Sequence, residues 1–130
     1  MKALTITLFV DDVRSALYFY EDLFSVDVAE IHTEDGIELD ASMTILDYPF
    51  QLVKRPVLSR RGRDAIVFTL DVSEENLDAL FDAALERDAK PINYPAVYLD
   101  AGVKVALFED PFGFQWRLRT QFQPSFTPED

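Results

Sequence analysis

The sequence predicts an α+β protein built from two copies of a strand–helix–three-strand (βαβββ) unit, and three observations carry that prediction. Apolar residues alternate with period two over Leu4–Val10 and again over Ala65–Val72. Each run leads into a stretch with apolar residues at helical spacing, and each helical stretch into three further strand-like runs. The two halves superpose at an offset of sixty positions, so that Thr5–Asp11 lies over Ala65–Asp71. Identity between the halves is weak, but chance rarely repeats both the order of elements and the facing of their side chains. A ferredoxin-like α+β sandwich is the competing architecture.

In the first half, Leu4, Ile6, Leu8 and Val10 alternate with Thr5, Thr7 and Phe9 along a strand. Asp11 or Asp12 can cap the helix that follows. There Val13, Leu17, Tyr20 and Phe24, with Ala16 and Leu23 beside them, form one apolar stripe. Residues 26–33 read as a strand, Glu34-Asp35-Gly36 as a turn, 37–45 as a second strand and 50–55 as a third. Residues 56–63 (PVLSRRGR) form a connector with a proline, a glycine and a basic cluster. The order then recurs: a strand over 65–72, then a helix opened by Ser73 with Glu74 and Glu75. Leu77, Leu80, Phe81, Ala84 and Leu85 make its stripe. Residues 97–99, 103–109 and 114–121 complete the second unit, and the two-proline tail from Phe122 reads as an extended arm. The organisation predicted is therefore a first module at 1–55, a connector at 56–64, a second module at 65–121 and an arm at 122–130.

With 130 residues, 48% hydrophobic content, 11 Phe, 5 Tyr and 1 Trp, the chain can close a packed interior. It has no cysteine, which excludes disulfides and thiolate chemistry and fits a reducing cytoplasm. No apolar run approaches the roughly 20 residues of a membrane span. A formal net charge of −12 argues against nucleic acid as a partner, because phosphate neutralisation needs a positive field. The acidity suits either solubility or attraction of a cationic ligand.

Two motifs are more specific. Asp12-Val13-Arg14-Ser15-Ala16-Leu17-Tyr18-Phe19-Tyr20 places an acidic cap and a Phe-Tyr pair on the first helix. Glu109-Asp110-Pro111-Phe112-Gly113-Phe114-Gln115-Trp116-Arg117-Leu118 reads as a tight turn leading into a strand, with Pro111 and Gly113 at turn positions. Set in a duplicated βαβββ chain from Leu4 to about Gln121, these motifs resemble the vicinal oxygen chelate superfamily: glyoxalase I, extradiol dioxygenases and bleomycin-resistance proteins. Ser25 departs from the glycine common there after the first helix.

The resemblance implies two modules forming a curved mixed sheet around a cavity, frequently completed by a homodimer. It also implies four metal-ligand positions, commonly His and Glu, on the first and last strands of the modules. Here those positions fall on Thr5, Ala65, Arg117, and Gln51 or Val53 according to register. An alanine and a guanidinium cannot ligate a cation, so neither metal nor another cofactor is expected. His32 with Glu30, Glu38 or Asp40 is the one alternative cluster, and an isolated surface histidine beside acidic turns is the better account of it. Ser15 lacks an evident base.

The family's facing puts Thr5, Thr7, Phe9, Gln51, Thr69, Gln115, Arg117 and Arg119 on the cavity side as candidate ligand-binding residues, with Val67 beside Thr69. Leu4, Ile6, Leu8, Ile66, Phe68, Leu70, Trp116 and Leu118 then pack under the helices. Arg117 can anchor an anionic group or pair internally with Glu38 or Asp40. Tyr48, Phe50, Tyr94 and Tyr98 lie beside prolines, where they can stack on a ligand, meet a partner subunit or plug the sheet ends. The local arginines and the overall acidity point to ligands of opposite sign. The expected function is binding of a small organic molecule without metal. The alternative is a superfamily lyase, isomerase or dioxygenase with a displaced metal site, or metal-free chemistry using Arg117.

Overall fold

A computed structural model of the protein describes residues 4–56, 60 and 62–122. The expected arm, save Phe122, and residues 57–59 and 61 of the expected connector lie outside the described residues. The chain divides into two compact units, 1–60 and 61–130. The first contains β1 (Ile6–Val10), α1 (Val13–Phe24), β2 (Asp27–Glu34), β3 (Ile37–Ile45) and β4 (Tyr48–Lys54). The second contains a 3-10 turn (Arg63–Ala65), β5 (Val67–Asp71), α2 (Glu74–Glu86), β6 (Lys90–Tyr98), β7 (Val103–Glu109) and β8 (Gln115–Gln121). Each unit holds one four-stranded mixed sheet, ordered β1-β4-β3-β2 and β5-β8-β7-β6. The first strand of each unit pairs parallel with the last, and the other pairings are antiparallel. The α+β class and the duplicated βαβββ order are as the sequence predicts. Among the described residues no helix is long and apolar enough to cross a membrane.

Each sheet covers its helix with one face and leaves the other open. Leu8, Val10, Ala41, Met43, Ile45 and Leu52 are buried in the first unit with Val13, Ala16, Leu17, Phe19, Tyr20 and Leu23 of α1. In the second, Leu70, Ala106, Phe108, Trp116 and Leu118 are buried with Leu77, Phe81 and Ala84 of α2. Complete burial of side chains of this size is worth about 1.5–3 kcal/mol each before conformational entropy is counted. The predicted alternation holds, with two corrections at the strand starts. Leu4 and Ile66, expected under the helices, are 77% and 62% exposed because β1 begins at Ile6 and β5 at Val67.

Local chemistry sets the element ends. Asp12, not Asp11, is the α1 N-cap, its carboxylate accepting from the Ser15 N–H at 3.1 Å. Ser25 closes the helix in the left-handed region at φ 55°, the conformation that explains a glycine at this place in the resembling family. Asp35 and Gly36 turn β2 into β3 with φ 54° and 79°.

Two further corrections concern connections. The third strand starts at Tyr48 rather than at residue 50, because Leu46 and Asp47 make a two-residue hairpin with φ 51° and 68° and no glycine. Leu46 is 57% exposed and gains little from packing there. The double change Leu46→Asn with Asp47→Gly is therefore expected to raise the unfolding free energy by about 1 kcal/mol, measured by urea titration. Strand β6 spans nine residues where the sequence suggests only 97–99. Pro91 and Pro95 argue against a strand, yet β6 lies at the sheet edge and its pairing slips between Pro91 and Asn93 and between Asn93 and Ala96. An edge with bulges tolerates residues that lack an N–H.

Candidate functional site

The open face of the second sheet is built by the β5–β8–β7 register. Val67, Thr69 and Asp71 stand opposite Gln115, Arg117 and Arg119 on β8, which stand opposite Glu109, Leu107 and Val105 on β7. Burial of Trp116, Leu118 and Thr120 on the helix side leaves Gln115, Arg117 and Arg119 on the open side.

The two arginines are used differently. Arg119 donates to Asp71 twice, Nε to Oδ1 at 2.7 Å and Nη2 to Oδ2 at 3.2 Å, a fork-to-fork ion pair. That bond from Arg119 holds the Asp71 carboxyl below its usual range, with Arg117 contributing, and raises the Arg119 guanidinium. Arg117 is exposed and donates from Nε to the Thr69 hydroxyl at 3.1 Å. Among the described residues it has no ion-pair partner. Glu38 is bonded by Arg14, whose Nε lies 2.8 Å away, and Asp40 by His32, all within the first unit.

On the first sheet, Thr7, Gln51, Ser42 and Glu30 form one row across the strands, and Phe9, Val53, Asp40 and His32 the next. Thr7 and Phe9 are exposed, and Gln51 is half-buried. The Arg55 guanidinium sits 4.6 Å from the Phe9 ring centre. Thr5 is exposed just before β1, outside the pairing rows. Since Phe9–Val53 and Thr69–Arg117 pair identically at the sixty-residue offset, Val53 rather than Gln51 is the register counterpart of Arg117.

The residues at the family's metal positions do not fit a divalent cation. Ala65 offers no donor and belongs to the 3-10 turn rather than a strand, Val53 is a hydrocarbon, and Arg117 carries the wrong charge. In the alternative cluster, His32 Nδ1 lies 2.7 Å from Asp40 Oδ1 and Nε2 lies 3.7 Å from Glu30 Oε2, while Arg14 occupies Glu38 and holds its carboxyl below the usual range. No group of three or more His, Asp or Glu among the described residues is placed to hold a metal. Of the four aromatics beside prolines, Phe50 is buried, while Tyr48, Tyr94 and Tyr98 are 70%, 66% and 52% exposed. Tyr94 meets Phe81 edge-on at 5.6 Å.

Two residues escape a reading of the sequence. Asp71 alternates in step with Thr69, but only the parallel pairing of β5 with β8 brings it to Arg119. Asp110 is 1% exposed and is the hub of the β7–β8 hairpin. Its Oδ1 accepts from the Phe112 and Phe114 N–H groups at 3.0 and 2.9 Å, and its Oδ2 from Trp116 Nε1 at 2.9 Å. Arg63 caps the same turn, donating to the Phe112 carbonyl with its guanidinium 4.2 Å from the Phe114 ring centre.

The Asp71–Arg119 pair makes a pH prediction. A lowered native carboxyl contributes stability above the ordinary value of 3.8 and loses it as pH falls below that, through the lowered value. The melting temperature of Asp71→Asn should therefore trail the wild type at neutral pH and rejoin it well below pH 3.8. The gap should be small, because the pair is exposed.

No curated protein matches the chain. Among solved structures, the genomically encoded fosfomycin resistance protein FosX from Listeria monocytogenes has a TM-score of 0.75 at 12% identity, over 94% of each chain. TioX from Micromonospora sp. ML1 scores 0.67 at 14% identity, over 94% of this chain and all of that one (100%). A glyoxalase/bleomycin resistance protein/dioxygenase family enzyme from Burkholderia phytofirmans PsJN scores 0.71 at 14% identity, over 91% of this chain and 97% of that one. Identities this low speak to the fold alone. The sequence profile of one superfamily matches residues 2–118, nearly the whole chain, and it agrees with the duplicated βαβββ order and the Asp-Pro-x-Gly hairpin: the protein belongs to the Glyoxalase/Bleomycin resistance protein/Dioxygenase superfamily.

Proposed function

We propose that this protein binds a small organic molecule without metal, sequestering or carrying it, and that Arg117 on the open face of the second sheet holds an anionic group of that ligand. One observation carries the reading. Among the described residues, Arg117 is an exposed guanidinium with a hydroxyl as its hydrogen-bond partner and no carboxylate, next to an Arg119 that Asp71 already neutralises. A guanidinium fork matches the planar geometry of a carboxylate or the oxygens of a phosphate. Thr69, directly opposite on β5, and Gln115, one row along β8, can add neutral hydrogen bonds. The net charge of −12 is spread over the whole chain, whereas the field felt by a bound group is set by its nearest charges. That difference in range favours an anion over a cation at this face.

A melting-temperature panel tests the reading. Anionic metabolites should raise the melting temperature in proportion to the logarithm of their concentration, while cationic drugs of similar size should not. Stabilisation by the cations alone would overturn it. A homodimer and a cytoplasmic location belong to the same proposal. The dimer is supported by exposed Tyr94, Val97 and Tyr98 on edge strand β6, and sedimentation at micromolar concentration tests it.

A further inference from the structure

The charge pattern around Arg117 narrows the ligand class, on the reading that this face binds an anion. Along β8 and its neighbours, residues two positions apart on the open face are separated by about 7 Å. One row from Arg117 lies Asp71, already paired with Arg119, and one row the other way lies Glu109, opposite Gln115. Arg117 thus stands between two rows in which each carboxylate faces a cation, Arg119 for Asp71 and Lys90 for Glu109, and brings the one unit of positive charge left over. Asp71 is near enough to sense it, since Arg117 contributes to the lowering of its carboxyl.

The same face is apolar on either side of the fork. Leu107 stands opposite Arg117, Val105 opposite Arg119, and Val67, 40% exposed, opposite Gln115. The Thr69 hydroxyl accepts from Arg117 Nε, so its own hydrogen is left to donate to a second oxygen of a ligand. Since Nε of Arg117 is taken by Thr69, a head group would sit end-on across its two Nη groups, a fork that also gives two parallel bonds.

We propose that this face selects a monocarboxylate with an apolar body, the carboxylate on Arg117 and Thr69 and the body on Leu107, Val105 and Val67, and discriminates against dianions such as phosphate or phosphonate. A single negative charge is matched by Arg117. A second one finds Arg119 already bonded to Asp71 and Lys90 standing opposite Glu109, so its desolvation against this apolar face goes uncompensated. Removing the body forfeits the contact with the three aliphatic residues.

Calorimetric titration of the full chain with benzoate, phenylphosphonate and acetate tests this, at a pH where the phosphonate is doubly ionised. The first two probes share a ring and differ in head-group charge, and the third keeps the head and lacks the body. Benzoate should bind about tenfold more tightly than phenylphosphonate, because the second charge is desolvated without a cation of its own. Acetate should bind more weakly than benzoate by at least about as much. Arg117→Gln should abolish benzoate binding. Asp71→Asn, which frees Arg119 from its carboxylate, should strengthen phenylphosphonate more than benzoate. If phenylphosphonate binds as tightly as benzoate, and through Arg117, the selectivity is overturned while the anion-binding reading stands. If no probe binds and Arg117→Gln changes nothing, the reading itself fails and the selectivity with it.

Discussion

Replacing Asp110 with alanine is expected to lower the unfolding free energy by about 3–5 kcal/mol, a large part of the roughly 5–15 kcal/mol that a domain possesses. The side chain is 1% exposed and satisfies three donors at once: the Phe112 and Phe114 amides and the indole N–H of Trp116. Trp116 is fully buried, so its N–H has no recourse to water once the carboxylate is gone. Each buried donor left unmatched costs about 1–3 kcal/mol. The Asp110 backbone stays tied to Phe114 and Gly113, with N–H to O at 2.7 Å and carbonyl to N–H at 3.0 Å, which keeps the loss below the sum of the three. Asp110→Asn should be milder, about 2 kcal/mol, because its amide oxygen keeps part of the acceptor set while its NH2 faces a donor. Urea unfolding of the three proteins measures both numbers. A loss below about 1 kcal/mol for the alanine variant would refute the assignment of Asp110 as the hub of the hairpin. The hairpin also positions the site: it fixes where β8 starts, and a slip of one residue would turn Arg117 toward α2 and Trp116 outward.

Asp110 shows what a sequence does and does not disclose. The Asp-Pro-x-Gly pattern announces a turn through proline and glycine chemistry, and the alternation after it places Arg117 on the open face. The carboxylate's three partners lie two, four and six residues onward, and only the closed turn gathers them at one point. The helix stripes were legible for the same reason as the alternation, since burial of one face imposes a period on the sequence. Strand ends were less so. Thr5 and Ala65 continue the apolar alternation but carry no pairing, because the partner strands β4 and β8 align only from Ile6 and Val67. The hairpin at Leu46 and Asp47 lacks the glycine that marks such turns, and β6 is a strand in spite of its two prolines because an edge can spare their missing N–H groups. Charge pairing was the least legible layer. Arg119 and Asp71 are 48 residues apart and meet only through a parallel pairing register. Until that register is known, Arg117 and Arg119 look like equivalent cations, and the difference between them is what defines the candidate site.

Arg117→Glu is expected to abolish stabilisation by anionic ligands while leaving the free protein almost unchanged. At a ligand concentration of a hundred times Kd, binding adds about 2.7 kcal/mol to the native state. The charge reversal should bring that increment to zero, because the substituted carboxylate would repel the ligand and would stand in the row next to Asp71. The intrinsic cost should stay within about 0.5 kcal/mol, since Arg117 is exposed and gives up one hydrogen bond, to a threonine hydroxyl that water can reach. Arg117→Lys separates charge from shape: it keeps the cation but loses the planar fork, and an intermediate increment is the expected result. The same change at Arg119 makes the contrast. Arg119→Glu breaks the ion pair with Asp71 and places two carboxylates together, so it should lower the melting temperature of the ligand-free protein as well as weaken binding. Melting curves of the three variants, each with and without ligand, read both quantities at once. Undiminished anion stabilisation in Arg117→Glu would remove Arg117 from the site, and with it the reading that a guanidinium with no carboxylate partner among the described residues stands where this superfamily's metal chemistry calls for a carboxylate.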